Sequence, residues 1–164
     1  MWWSERRHWL VAAGALALAG CGFELRRPTA LNFRTIALTG FPPRSSLAEE
    51  LKRALVRGNV DVLDKPAEAQ VVLKALSDER GKSVVASTSA AQVREFTLRL
   101  KFSFSAATPA GRELIAPAEL LLSRDLTYSE NFALAKQQEE DDLFREMQSD
   151  VVLQVIRRLA SVRL

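Results

Sequence analysis

A run of strictly alternating apolar and polar residues, Glu95 to Ala106, constrains the fold more than any other feature of this sequence. Its apolar positions are Phe96, Leu98, Leu100, Phe102, Phe104 and Ala106, and its polar positions are Glu95, Thr97, Arg99, Lys101, Ser103 and Ser105. Successive side chains of a β-strand point to opposite faces, with a period of two. The run therefore predicts a long strand with one face in a core and the other in water.

Strands before and after this run are predicted to pair with it. Residues Ala69 to Ser77 alternate around Val71 and Leu73, and Glu113 to Tyr128 returns after a turn at Thr108 to Gly111. The predicted dry face of the returning strand consists of Leu114, Ala116, Ala118, Leu120 and Leu122. Pro117 cannot donate a backbone hydrogen bond, which indicates an edge strand or a bulge at that position.

The segment 81–92 between these strands is polar and rich in serine. Its composition indicates a turn or mobile loop, although Val84 and Val85 could pair with a neighbouring strand.

Helical spacing marks two other regions. A first strand, Arg34 to Thr39, precedes a helix with Leu47, Leu51, Ala54 and Leu55 along one side. Ser46 and Glu49 have the spacing of a capping box, and Gly58 is a plausible helix end. The second helix lies between about 131 and 162, and its apolar positions are Phe144, Met147, Val151, Val155 and Leu159. Its polar first part is expected to project from the core.

The order of these elements defines the fold class. Antiparallel strands with helices on one face predict an α+β two-layer sandwich. We expect a mostly antiparallel sheet of about four strands, with a short extension at Val60 to Leu63 before Pro66, and two helices packed on one face. The length of 164 residues suits a single such domain.

The amino-terminal residues differ from the rest. Arg6 and Arg7 precede the uncharged apolar run Leu10 to Leu18, which has the pattern of a secretory signal. The run is shorter than the roughly 20 residues that cross a bilayer. Leu18-Ala19-Gly20-Cys21 then matches the lipobox of bacterial lipoproteins, in which the cysteine thiol receives the lipid. We therefore predict a signal peptide over 1–20, a tether with acyl chains such as palmitate on Cys21 over 21–33, and one domain over 34–164.

The predicted cleavage before Cys21 changes the chemistry that remains. It removes all three tryptophans and the single histidine, and lipidation would consume the single cysteine thiol. A mature chain without histidine or a free thiol has no Ser/His/Asp triad, Cys/His pair or His/Cys zinc site. We therefore expect no enzyme, no metal and no cofactor. The net charge of +3, without a dense basic block, gives no support to nucleic-acid binding.

Several segments resemble one family, the LPS-assembly lipoproteins LptE. The segments are Cys21-Gly22-Phe23-Glu24-Leu25-Arg26, the stretch Leu51 to Lys65 ending Val62-Leu63-Asp64-Lys65, then Ala133-Leu134-Ala135-Lys136, Glu146-Met147 and Ile156-Arg157-Arg158-Leu159. Their order along the chain carries the resemblance, because each segment alone is generic. The resemblance implies a non-catalytic subunit that plugs and helps to assemble the outer-membrane β-barrel LptD and binds lipopolysaccharide during its insertion into the outer leaflet. Gly22, in place of an aspartate, favours the periplasmic side of the outer membrane.

Basic side chains are needed to bind the phosphates of lipopolysaccharide. The resemblance makes Lys136 the first candidate. Arg99 and Lys101 lie on the predicted solvent-exposed face of the alternating strand, Glu95 to Ala106. Arg94 and Arg124 are further candidates. For each of Arg94, Arg99, Lys101 and Arg124 taken alone, an ordinary solvated charge is the favoured interpretation. The hydroxyl side chains Ser87, Thr88 and Ser89 put a loop-based phosphate contact in doubt.

Two questions remain open at this level. Tyr128, Phe132 and Leu134 are candidate anchors for the barrel wall, but they could instead pack between the last strand and the last helix. A lipoprotein that carries lipid or another lipoprotein is the alternative function, and it would need an apolar cavity.

Overall fold

The alternating run forms the fourth strand of a five-stranded sheet in the computed structural model, which describes residues 30–87 and 93–164. In chain order the elements are β1 (Thr35–Thr39), α1 (Ser46–Arg57), β2 (Asp61–Leu63), β3 (Val71–Ser87), β4 (Val93–Ala107), β5 (Glu113–Thr127) and α2 (Ala133–Ala160). Short 3₁₀ turns at Pro66–Glu68 and Glu130–Phe132 lead into β3 and α2. The predicted signal peptide and Cys21 lie outside the described residues.

The sheet has the order β2-β1-β3-β4-β5. β1 is parallel to both β2 and β3, whereas β3, β4 and β5 form an antiparallel meander. The predicted α+β class with a mostly antiparallel sheet is confirmed. The structure has one strand more than the four expected. The additional strand is β2, the short segment after α1 that the sequence marks only as a brief extension.

The dry face of β4 is the centre of the core. Leu98, Leu100, Phe102, Phe104 and Ala106 are each at most 1% exposed. The Phe102 ring stacks on Phe104 with the centroids 5.5 Å apart. Burial of each large side chain contributes about 1.5–3 kcal/mol, so this single strand supplies much of the driving force for folding.

Both helices cover this face of the sheet. Leu47, Leu51 and Leu55 of α1 are buried in the same cluster as the dry face of β4. The predicted stripe of α2 is confirmed, because Phe144, Met147, Val151, Val155 and Leu159 are all buried there. No residue of α2 before Phe144 is buried, so the polar first part of the helix lies outside the core as predicted. It still contacts the sheet, because Lys136 bonds to Thr127 of β5 and Glu140 pairs with Lys82 of β3.

The prediction of a turn or loop over 81–92 is wrong for its first half. β3 continues to Ser87, with Lys82 opposite Leu98 and Val84 opposite Phe96. The long strand β4 requires partners for its backbone groups on both sides, since unpaired buried amides are costly. This requirement outweighs the weak strand propensity of serine and glycine. Thr88 and Ser89 lie outside the described residues.

The start of α1 differs from the predicted capping box by one residue. The N-cap is Ser45, whose Oγ accepts a hydrogen bond from the Ala48 amide at 3.1 Å. The hydroxyl of Ser46 instead donates to Gln148 Oε1 of α2 at 2.7 Å. Gly58 caps the carboxyl end as predicted, and its amide donates to the carbonyls of Ala54 and Leu55.

Pro117 has both predicted consequences. β5 is an edge strand of the sheet, and its register with β4 shifts between Ala118 and Ile115. The shift breaks the period-two pattern, so Ala116, which was predicted on the dry face, is exposed. Leu120 is buried as predicted, and Leu114, Ala118 and Leu122 are half-buried against the core.

Candidate functional site

The long meander separates two ends of the molecule. Strands of 15 residues such as β4 and β5 extend about 50 Å. The proximal end carries residue 30, where the chain enters the domain, together with the end of α2. The distal end consists of residues 82–85, 94–96 and 128–136, and it includes the start of α2.

A recess of about 440 Å³ lies at the distal end, between the sheet and the start of α2. It is lined by Lys82, Tyr128, Ala133, Leu134, Lys136, Gln137, Glu140 and Asp141. Two elements that are remote in the sequence, β3 and α2, thus bring Lys82 and Lys136 to one site.

Hydrogen bonds hold both lysines of the recess. Lys136 Nζ donates to Thr127 Oγ1 at 3.1 Å and to Glu139 Oε2 at 2.8 Å. Lys82 forms an ion pair with Glu140 and lies over the Phe96 ring, with 4.1 Å between Nζ and the centroid. The charge of the recess is therefore balanced, and an incoming anion would have to displace a carboxylate.

Exposed apolar side chains lie at the same end of the molecule as this recess. Leu134 is 84% exposed and Phe132 is 65% exposed, and the neighbouring β3 residues Val84 and Val85 are also more than half exposed. Tyr128 packs edge-on against Phe96, with the centroids 5.3 Å apart. Of the three predicted anchors, Phe132 and Leu134 are thus free for contact, whereas Tyr128 also packs at the junction between β5 and α2.

The other predicted phosphate ligands do not all join Lys136. Arg99 and Lys101 lie on the open face of the sheet, opposite the helices. Arg99 Nη1 donates to Ser83 Oγ at 3.2 Å, and Lys101 pairs with Glu119 at 3.2 Å. The open face also carries Glu79 and Asp125, so it is a mixed polar surface rather than a basic patch.

Arg124 and Arg94 occupy two further positions. Arg124 lies opposite Leu98 on the helix side and pairs with Asp150 of α2 at 3.5 Å. Arg94 is exposed at the start of β4, where its carbonyl accepts a hydrogen bond from the Tyr128 amide at 2.8 Å. The structure therefore brings Arg94 to the same end as Lys136 and places Arg99 and Lys101 on the other face of the sheet. Arg124 lies on the helix side, in the same cross-strand row as Lys82.

Sequence reasoning missed Lys82, because it fell in the segment interpreted as a loop. The signal was present in Val84 and Val85, which extend the strand pattern beyond Gly81. Alternation from Val71 and Leu73 alone would place Lys82 on the open face, and the bulge between Ala75 and Ser77 is what moves it to the helix side, opposite Leu98.

A second group of polar side chains joins α1, α2 and β3. Gln148 is 5% exposed, and its Oε1 accepts from Arg80 Nη2 at 2.5 Å and from Ser46 Oγ. Gln148 Nε2 donates to Glu50 Oε2 at 2.5 Å, and Arg80 lies 5.4 Å from the centroid of the Phe144 ring. Every polar atom of the Gln148 amide is satisfied, so this group fixes the position of the two helices on the sheet.

Residues 30–87 and 93–164 hold neither a metal-binding cluster nor a membrane-spanning helix. They contain no cluster of three or more His, Cys, Asp or Glu side chains suited to a metal ion. Within the same residues, neither helix combines the length and apolar character needed to cross a membrane.

The fold and the sequence together define the class of this protein. The family model LptE, lipopolysaccharide-assembly, matches residues 33–159, and the chain belongs to this family. Curated relatives include the LPS-assembly lipoprotein LptE of Photorhabdus laumondii, which is 26% identical over 93% of this chain and 84% of its own length. The LPS-assembly lipoprotein LptE of Pectobacterium atrosepticum is 24% identical over the same shares.

Solved structures agree with this assignment. The solution structure of lipoprotein B from Nitrosomonas europaea is 26% identical and covers 85% of this chain and 91% of its own, with a TM-score of 0.73. Rare lipoprotein B from Shewanella oneidensis has the same fold, with a TM-score of 0.66 at 24% identity over 78% of this chain and 95% of its own.

Proposed function

We propose that this protein is a non-catalytic outer-membrane lipoprotein that plugs the LptD β-barrel, assists its assembly and binds lipopolysaccharide during its insertion into the outer leaflet. Membership of the LptE family is the observation that carries the proposal. In this account the signal peptide 1–20 is removed, Cys21 carries the lipid, and the domain faces the periplasm.

The distal end supports the choice of ligand. Lipopolysaccharide combines phosphates with acyl chains, so its binding site needs cations beside exposed apolar side chains. The recess offers Lys82 and Lys136, with Leu134 and Phe132 next to them. Surface ion pairs contribute about 0–1 kcal/mol, so Lys136 can exchange the Glu139 carboxylate for a phosphate at small cost.

A pair of substitutions with opposite signs tests this ligand. Lys136→Glu should weaken lipopolysaccharide binding by the intact lipoprotein at least several-fold, because it replaces a phosphate-binding cation with an anion. Glu139→Gln should strengthen binding, because it removes the carboxylate that competes for Lys136. Binding is measured with purified protein and labelled lipopolysaccharide, and Lys101→Glu on the open face is the matched control. Equal losses in all three variants would contradict the assignment.

The open face of the sheet suits the barrel partner. The lumen of a wide outer-membrane barrel is polar, so a plug does not need an apolar contact surface. Such a surface lies on the side away from the helices and is formed by Arg99, Lys101, Glu119 and Asp125.

We expect the protein to co-purify with a large outer-membrane barrel, and its depletion to leave lipopolysaccharide in the periplasm. Normal surface lipopolysaccharide in a strain without the protein would refute the proposal.

The described core does not favour the alternative of a lipid carrier. A carrier of this architecture would hold its cargo between the sheet and the helices. That space is occupied by the core cluster, which includes the fully buried Phe102, Met147 and Val151. The recess at the distal end and a second one beside Gln148 and Arg80 both open at the surface and are lined largely by charged and polar side chains.

A further inference from the structure

The side of α2 that faces the sheet changes character along the helix. From Phe144 onward this side is apolar and buried. In residues 133–143, which we call the cover, the side chains that are at least partly buried are Lys136, Glu140 and Leu143. Helical spacing places Lys136 and Glu140 on the same side as Phe144. The cover therefore presents mainly charged side chains to the sheet.

The sheet beneath the cover is apolar. Lys136 Nζ donates to Thr127 at the end of β5, and Glu140 pairs with Lys82 of β3, so the cover lies over the distal part of the sheet. The apolar side chains on the helix side of that part, which we call the apolar floor, are Phe96, Leu98 and Leu126. Leu98 and Leu126 are at most 1% exposed, although no residue of the cover is buried.

Charged side chains and an apolar floor are a poor match. The side chains of Lys136 and Glu140 are only 20% and 21% exposed, so both charges have lost much of their hydration. Their aliphatic stems shield the floor while the charged groups reach toward its rim. A hydrocarbon chain would cover the same floor with apolar atoms along its whole length and let both charges return to water.

The start of α2 is also weakly fixed. Its N-cap, Phe132, provides no side-chain hydrogen bond, and its first turn contains no acidic residue. Lys136, just after the amino terminus, is a cation at the positive end of the helix dipole. By contrast, α1 has the Ser45 cap and Glu49 in its first turn. A helix end without a cap, held by partly exposed polar contacts, opens locally without global unfolding.

We propose that the cover lifts from the apolar floor and that one acyl chain of an anionic lipid takes its place. The inference rests on the proposed function, which makes this lipid lipopolysaccharide, and it adds the site of an acyl chain. The recess between the cover and the sheet is the mouth of the site, with Lys82 and Lys136 on its walls. Phosphates replace the carboxylates of Glu139 and Glu140 on these lysines, and loss of the Lys82–Glu140 pair releases the cover.

Thiol labelling tests whether the cover lifts. In the intact lipoprotein in phosphatidylcholine vesicles, a water-soluble maleimide should modify Leu126→Cys at least about ten-fold faster than Leu100→Cys. Both leucines are 1% exposed, but Leu100 lies opposite Arg80, beside Phe144 and beyond the cover. The unsubstituted chain gives the background. Equally slow labelling at the two positions would overturn the proposal.

A glycine substitution separates local opening from global unfolding. Ala135 is exposed, so Ala135→Gly removes no contact with the sheet, but it should raise the Leu126→Cys labelling rate about five-fold because glycine weakens the helix. Arg157→Gly, at the far end of α2, should leave that rate unchanged. Equal acceleration by both substitutions would show that Leu126 becomes accessible only by global unfolding, and would overturn the proposal.

Protection by the ligand tests the acyl site. Saturating lipopolysaccharide should slow the labelling of Leu126→Cys at least about ten-fold, whereas inorganic phosphate, which has no acyl chain, should not slow it. Ser123→Cys on the open face should keep its rate in lipopolysaccharide, which controls for general shielding. Bound lipopolysaccharide that leaves Leu126→Cys unprotected would overturn this inference alone. Absence of any lipopolysaccharide binding would refute the proposed function and this inference with it.

Discussion

At the scale of single residues, Gly40 is the glycine least able to accept a side chain among residues 30–87 and 93–164. Its φ of +77° lies in the left-handed region, and a Cβ placed there would lie 2.3 Å from the Ala75 carbonyl oxygen. Gly40 ends β1 directly against β3, beside the bulge between Ala75 and Ser77. The close approach of β1 to β3 therefore depends on the absence of a side chain.

Gly40→Ala should destabilise the fold by about 2–3 kcal/mol, because backbone strain and a steric clash add at one position. Urea unfolding followed by circular dichroism measures the change. Gly111→Ala is the matched control, because Gly111 also has a positive φ of +88° but open space around its Cβ. An equal loss in the two variants would show that the contact with Ala75 is unimportant.

The recess shows what single residues can and cannot reveal from sequence. Lys136 was identifiable because it lies in a segment that resembles the family. Lys82 was not, because its position depends on β3 pairing with β4, a long-range contact that local serine and glycine content obscures. Arg99 and Lys101 were placed on the correct wet face, but alternation along one strand cannot show that Lys136 lies on the other side of the sheet.

At the scale of elements, the amphipathic helices and strands could be predicted from the sequence. The element boundaries that tertiary contacts determine could not. The period-two pattern of β4 and the apolar stripe of α2 each define a buried face without reference to a partner. The parallel strand β2 has only 3 residues and is held by pairing with β1, so its own sequence contains little signal. The N-cap of α1 also depends on the tertiary structure. Both Ser45 and Ser46 have the chemistry of an N-cap, and only the path of the chain selects Ser45.

Ser45→Ala should therefore cost about 1 kcal/mol of stability, because the Ala48 amide loses its acceptor. The loss of the Ser45 hydroxyl that donates to Asp78 Oδ2 acts in the same direction. Thermal unfolding measures the change, and Ser45→Thr, which keeps the hydroxyl, should remain close to the parent. A stable Ser45→Ala variant would place the functional cap elsewhere.

Phe102→Ala tests the dominant role of β4. Removal of a fully buried phenylalanine that stacks on two other rings should cost about 3–5 kcal/mol. Ser105→Ala on the open face of the same strand should change stability by less than about 0.5 kcal/mol. Urea midpoints compare the two, and similar values would mean that the faces of β4 are assigned incorrectly.

At the scale of the whole molecule, the two ends of the domain carry different features. The proximal end receives the chain from the proposed lipid anchor at Cys21, and the distal end, about 50 Å away, carries the recess. The proposed function implies that the lipid aids placement and that the barrel does most of the holding. A secreted, overproduced Cys21→Ala form should therefore still co-purify with the LptD barrel. Complete loss of that complex would show that the anchor is required for assembly.

Site-specific photocrosslinking in living cells, from position 134 of the intact lipoprotein, tests the central claim most directly. Leu134 is 84% exposed beside Lys136, so a photoreactive side chain there changes neither the core nor the ion pairs of the recess. The account predicts a lipopolysaccharide adduct from position 134 and none from position 99 on the open face. The absence of a lipopolysaccharide adduct at 134, in cells that still form the barrel complex, would contradict it.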